Sequence, residues 1–376
     1  MRTGITTLPL HPGKAPEWLL KRQKPLAREI INLIVDEYGP SEFVRRVSDP
    51  YWFQALSCVL AFDWHSSGTT PVTTAVLKWA VIPEEHGFAI AGGKGKTSLK
   101  TPQDIENFGK TLSLPDSKID KLTYTSKITA KVDNTAIQSG YSLYHHTLFF
   151  TEKGEWSVVQ QGLDPATRTA RRYHWLDENV ESFVEEPHNG ICCDVVKKSC
   201  LDMTAKESYE SRKVAVDLIK DGPNHLRKYF LPSGQTTLEN FSGNIITHLK
   251  LPDHAQVNWK ALDLAYDQDP RDFEGLLGIR GIGPSTIRGL AFVSEVVYGA
   301  RPSFRDPVKF SYAFGGKDGV PRPVDRRAMD ESVEFLRGII AQARIGKTEQ
   351  LRCFKRLRAS VPMDMEINAT GNHASL

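Results

Sequence analysis

The chain has 376 residues, 40% hydrophobic and 25% charged, with a formal net charge of only +3. That composition is ordinary for a globular protein with room for two cored domains. It excludes a polycation, so any nucleic-acid surface must be a local patch.

After a Pro/Gly-rich start, residues 16–38 read as a helix that Pro25 kinks or divides, with Leu19, Leu26, Ile30, Ile31 and Ile34 as its apolar residues. Helices follow near Ser41–Val47, Pro50–Ala61 and Val72–Ala80. Next come a short strand, FAIAGG, and a helix over Pro102–Lys110 with Thr101 as its cap. From about Tyr141 the texture is β. Two β-rich runs flank the turn Glu152-Lys153-Gly154-Glu155, and RRYHWL and GICCDVV extend the same sheet. From about Thr204 the pattern is helical to Arg358, broken by a loop-rich insert over Arg301–Pro323. The fold class expected is α+β. An N-terminal α/β domain with an antiparallel sheet covers 1–200, an all-helical domain covers 201–365, and 366–376 form a frayed tail. No apolar run is long enough to span a membrane. The N-terminus lacks a signal-peptide core, and the five scattered cysteines fit reduced thiols. A cytoplasmic protein with no membrane partner is expected.

Three groups of residues carry candidate chemistry. GGKGKTS at 92–98 fails as a nucleotide phosphate loop, because the glycine required five residues before Gly95 is Ile90. Lys94 and Lys96 remain available to phosphates. The densest polar set is Lys131, Asp133, His145, His146, Gln160, Arg171, Arg172 and His174. Strand alternation places Tyr144 and His146 on one face and Leu143, His145 and Thr147 on the other. A sheet face of this kind is expected to meet an anionic substrate, with Arg171 and Arg172 gripping nucleic acid beside Tyr173 and Trp175. Asp63 and His65 add a carboxylate and an imidazole. Were they to meet Asp133 and His146, a general-base or metal-assisted hydrolytic site would result, with Mg²⁺ or Mn²⁺ as its ion. No D-x-x-x-E-x-K spacing surrounds them. The neighbours Cys192 and Cys193 point to opposite strand faces, which argues against zinc.

The stretch LLGIRGIGPSTIRGLAFVSEVVYG, residues 276–299, resembles the helix-hairpin-helix motif, which holds DNA without reading its sequence. Gly281 and Gly283 flank Ile282 and permit a tight turn. Pro284 suits a first helical position, and the amides around Ser285 and Thr286 form a small anion site. The continuation through Asp306-Pro307 is similar to the helix-hairpin-helix base-excision glycosylases, and Asp306 matches their essential aspartate. The position of their lyase lysine is Ser285 here, 21 residues before Asp306. That resemblance therefore implies a monofunctional glycosylase.

Across nearly the whole chain, DPYWFQALSCVLAFDWHSSG, AKVDN, GYSLYHH, WSVVQQG, RRYHW and GGKDGVPRPVDR resemble an archaeal and thermophile family catalogued as domain of unknown function 763. The resemblance implies a soluble intracellular protein that joins a distinctive N-terminal domain to a helix-hairpin-helix module, with no catalytic assignment to carry over. The expected function is a DNA-processing enzyme in repair, with strand cleavage at the polar sheet leading. Base excision at Asp306 and a non-enzymatic adaptor for DNA or RNA are the alternatives.

Overall fold

A computed structural model describes residues 17–60, 67–193, 195–227, 229, 257–309 and 326–359. The fold is α+β. Four helices open it, α1 (Glu17–Tyr38), α2 (Pro40–Val47), α3 (Pro50–Val59) and α4 (Thr69–Ala80), and a short turn of helix α5 (Pro83–His86) leads into the sheet. Asp49 caps α3 by accepting from the Tyr51 amide at 2.7 Å.

Strand β1 (Phe88–Lys94) is followed by a tight helical turn over Gly95–Lys100 and the helices α6 (Thr101–Thr111) and α7 (Asp116–Lys131). Thr101 lies inside α6 and donates to the Ser98 carbonyl at 2.6 Å, so the expected cap is not the one formed. A two-residue strand β2 (Ile137–Gln138) precedes β3 (Ser142–Thr151), β4 (Trp156–Asp164), β5 (Thr169–Leu176) and β6 (Gly190–Cys192). These strands form an antiparallel sheet in the order β1-β3-β4-β5-β6, with the turn between β3 and β4 where the sequence places it. β2 pairs with β7 (Leu201–Asp202). The remaining helices are α8 (Tyr209–Lys220), α9 (Pro223–Leu226), α10 (Trp259–Gln268), α11 (Phe273–Gly278), α12 (Pro284–Tyr298), α13 (Arg326–Gln342) and α14 (Lys347–Ala359).

Helices cover both faces of the sheet. On one face Phe88, Ile90, Phe149 and Val159 pack with α1–α4, α13 and α14. On the other, Ala89, Leu148, Phe150, Val158, Tyr173 and Trp175 pack with α6–α8 and α10–α12. This second cluster runs without a break from Ala89 to Val308, across residue 200, and α13 and α14 return to pack beside α3. An antiparallel sheet often leaves one face to solvent. Here every residue of β5 is buried, which overturns the expected polar face displayed for a substrate. No helix among the described residues is long and apolar enough to cross a membrane.

Candidate functional site

The hairpin forms between α11 and α12. Ile282 is its anchor, fully buried, with its amide donating to the Ile279 carbonyl at 3.3 Å. Gly281 has φ +91°, and a Cβ there would meet Asn258 Nδ2 at 2.8 Å and the Ala261 Cβ at 2.9 Å. Glycine is therefore required by the fold at 281. Gly283 differs. Its backbone is extended (φ −126°, ψ −176°), and an added Cβ would have only the Gly281 oxygen, at 4.0 Å, for a neighbour. Pro284 opens α12 as expected, and no side chain caps the helix. Ser285 is half-buried and Thr286 buried, so their side chains turn partly or wholly inward; the first-turn amides are what this end of α12 offers.

The hairpin closes one side of a cleft of about 530 Å³. α7 and the strand β3 form the other walls, with exposed Leu99 of the 95–100 turn at the rim. Lys131 ends α7, reaches across and donates to the Ile282 carbonyl; burial lowers its pKa. Gln138 donates to the Pro284 carbonyl at 2.8 Å and accepts from Arg288 at 2.8 Å. The hairpin is thus pinned by the carbonyls of Ile282 and Pro284. Among the described residues no carboxylate lines the cleft, whereas Lys127 and Lys131 do. β1 pairs with β3 so that Lys94 stands opposite His145 and Gly93 opposite His146. This register sets the exposed Lys94 opposite the cleft-lining His145, and the exposed Lys96 lies in the turn whose Ser98 and Leu99 line the cleft.

The backbone after α7 widens into a π-helical turn, Val132–Ala136. Asp133 goes fully inside, where it accepts from Gln160 Nε2 and from Trp175 Nε1 at 3.0 Å and bonds His188 Nε2. Gln160 Nε2 also donates to the Thr129 carbonyl at 3.1 Å, and Gln160 Oε1 meets His146 Nδ1 at 2.7 Å. His146 Nε2 lies 2.8 Å from Ser126 Oγ. Burial lowers the His146 pKa, against the Gln160 hydrogen bond and the Asp133 charge, which raise it.

A bulge between Leu143 and His145 breaks the alternation expected on β3. Tyr144 swings to the α4 side, where its hydroxyl donates to the Ser67 carbonyl at 2.9 Å and accepts from Gln161 at 2.6 Å. His145 also turns that way, with Nε2 3.0 Å from Thr74 Oγ1. Burial first, then the charges of His146 and Lys94, push its pKa down to about 3. His146 alone of these three faces α7.

His174, Arg172, Arg171 and Asp306 do not reach the cleft. His174 is fully buried on the α3 side, with Nδ1 3.1 Å from the Val47 carbonyl and Nε2 accepting from Arg172 at 2.8 Å. Arg172 also donates to Gln54 at 3.1 Å and lies over the Phe53 ring. Arg171 is fully buried against Asp306 at 2.7 Å and stacks on Tyr141. Both guanidiniums are thus held inside the protein, Arg172 against α3 and Arg171 against Asp306 of the segment after α12, so neither is displayed to a nucleic acid. Asp306 also accepts from the Lys197 amide at 2.6 Å, and its side chain is wholly enclosed. Asp63 and His65 lie outside the described residues, as does most of the insert over 301–323.

Two residues joined to this network were absent from the expected site, Ser126 and His188. Ser126 sits on a helix whose Thr- and Ser-rich sequence gave no strong helical signal. The signal available was spacing: Ile119, Leu122, Ser126 and Thr129 are buried along one face of α7.

No curated protein and no solved structure matches the chain. A family model described as protein of unknown function (DUF763) matches residues 4–324, and the chain belongs to that family.

Proposed function

We propose that the protein is a DNA-processing enzyme that seats a phosphodiester backbone in the cleft between the hairpin, α7 and β3. One observation carries the reading. The uncapped start of α12, Lys127 and Lys131 converge on a cleft without a carboxylate among its described lining residues, and Lys94 and Lys96 stand at its edge. Amides at a helix start and lysines suit an anion that is gripped for charge rather than sequence. Gly283 supports it further, since the fold itself makes no demand for glycine there and a ligand approaching closely would.

Cleavage of the backbone is the chemistry favoured at this place. Mg²⁺ and Mn²⁺ take oxygen ligands, carboxylates foremost. The described lining holds none, so these residues do not fit the ion expected of a metal nuclease. Base excision at Asp306 has less support, because that carboxylate is enclosed and already paired.

The test is duplex and single-stranded DNA binding across a salt series, with strand breakage scored before and after alkali. Wild type should bind with steep salt dependence and nick without alkali. Gly283→Val should stay folded and lose about tenfold in affinity, the worth of one charge-assisted hydrogen bond. Unchanged affinity in the folded variant overturns the reading. Binding without any breakage would instead indicate an adaptor.

A further inference from the structure

The α7 wall of the cleft carries a hydroxyl held against a base. Ser126 Oγ lies 2.8 Å from His146 Nε2, and both residues line the cleft. The protonation of that ring follows from its neighbours. Gln160 Nε2 donates to the Thr129 carbonyl and to the Asp133 carboxylate, two groups that only accept. Gln160 must therefore turn Oε1 toward the imidazole, and His146 must carry its proton on Nδ1 to satisfy that oxygen. Nε2 is left as a bare lone pair, to which the Ser126 hydroxyl donates. A helical hydroxyl ordinarily bonds back to the preceding turn, as Thr129 does to the Thr125 carbonyl at 2.9 Å. Ser126 is turned to the histidine instead. Nucleophile, base and orienting group stand in the order that activates a hydroxyl.

We propose that Ser126 is a covalent nucleophile toward a phosphodiester, with His146 as its general base; the substrate class rests on the backbone-binding reading above. Oγ attacks phosphorus as Nε2 takes the hydroxyl proton. The bond from phosphorus to one flanking sugar oxygen breaks, and that oxygen leaves with the proton from Nε2. Water then attacks the phosphoserine diester, passing its proton through Nε2 to the departing Ser126 Oγ. The products are a free hydroxyl end and a phosphate monoester end, and nothing is oxidised or reduced. Gln160 and Asp133 are positioning residues, which fix the ring and its tautomer.

The experiment treats the full chain with an alkyl fluorophosphonate and locates the adduct by peptide mass spectrometry. One phosphonyl group is expected on Ser126, still forming below pH 6.5, the ordinary histidine value that His146 lies beneath. Ser126→Ala should remain folded by circular dichroism and take no label. His146→Asn should slow labelling about 100-fold or more, the usual worth of a general base. Should that variant unfold, Gln160→Met serves, since it frees the ring without emptying the space and should move the pH profile. No adduct on folded wild type, an adduct elsewhere, or wild-type rates in these variants overturn the proposal. DNA binding is measured separately. Unlabelled Ser126 with intact binding removes the serine alone, whereas labelled Ser126 without binding removes the phosphodiester and the backbone reading together.

Discussion

Arg171 and Asp306 stand 135 residues apart in the chain and meet at 2.7 Å with neither side chain exposed. The pair ties β5 to the segment that follows α12, and it decides what Asp306 does. A glycosylase aspartate must face a sugar, whereas this one faces a guanidinium and the Lys197 amide. Asp306→Asn should then act on stability. Removing one member of a buried pair costs about 3–5 kcal/mol, read as a lowered urea midpoint. A variant as stable as wild type that has lost base excision would restore the catalytic role.

Gly281→Ala is expected to behave unlike any substitution at Gly283. At 281 the left-handed backbone costs a residue with a Cβ roughly 1–2 kcal/mol, and the contacts with Asn258 and Ala261 add to it. Thermal unfolding should register the loss, and DNA affinity should follow only through unfolding. Equal stability of Gly281→Ala and Gly283→Ala would mean that the turn relaxes around the new methyl.

Those two glycines show how far sequence reaches. The turn and Pro284 at the head of α12 were legible, because glycine and proline act on the backbone locally; the burial of Ile282, which reads as a DNA-binding residue but whose amide bonds the Ile279 carbonyl, was not. The equal role expected of both glycines was not, since only the packing of Asn258 and Ala261 beside Gly281 separates them. The β3–β4 hairpin was legible from alternation, but the bulge at Tyr144 adds a residue that no periodicity shows. Arg171, Arg172 and His174 read as surface residues because charge usually signals solvent. Their burial depends on α2 and α3 covering Arg172 and His174, and on the segments of Val195 and Asp306 closing over Arg171, a tertiary fact. The sequence of α7 hides its helix for a related reason. Its inner stripe carries the buried Thr125, Ser126 and Thr129, of which Ser126 meets His146 and Thr129 meets Gln160, and it therefore looks unlike a core.

Three histidines give the protein a calculable response to acid. His145, His146 and His174 are buried, and burial lowers each pKa from 6.5, that of His145 to about 3. As pH falls through about 6.5 the unfolded chain takes up a proton at each before the native ring does. The unfolded state thus binds more protons, so native stability falls on acidification below 6.5, for His145 down to about 3, and is level for these groups above 7. Each histidine contributes up to ~1.4 kcal/mol per pH unit. Urea unfolding free energies at pH 7, 6 and 5 measure the slope. A flat line would mean that the native rings already carry protons.

The cationic residues sort into exposed and enclosed sets, and salt separates them. Each lysine that meets a phosphate contributes about 0.9 to the slope of log affinity against log salt concentration. Lys94 and Lys96 are exposed at the edge of the cleft, so the double variant Lys94→Ala, Lys96→Ala should flatten the slope by about 2 if both engage the backbone. Arg172 is held by Gln54 and His174 inside the sheet layer, so Arg172→Met should lower stability and leave the slope of the folded protein unchanged. A slope altered by Arg172→Met but not by the lysine variant would place the DNA against the sheet, and it would require the helices covering β5 to move aside on binding.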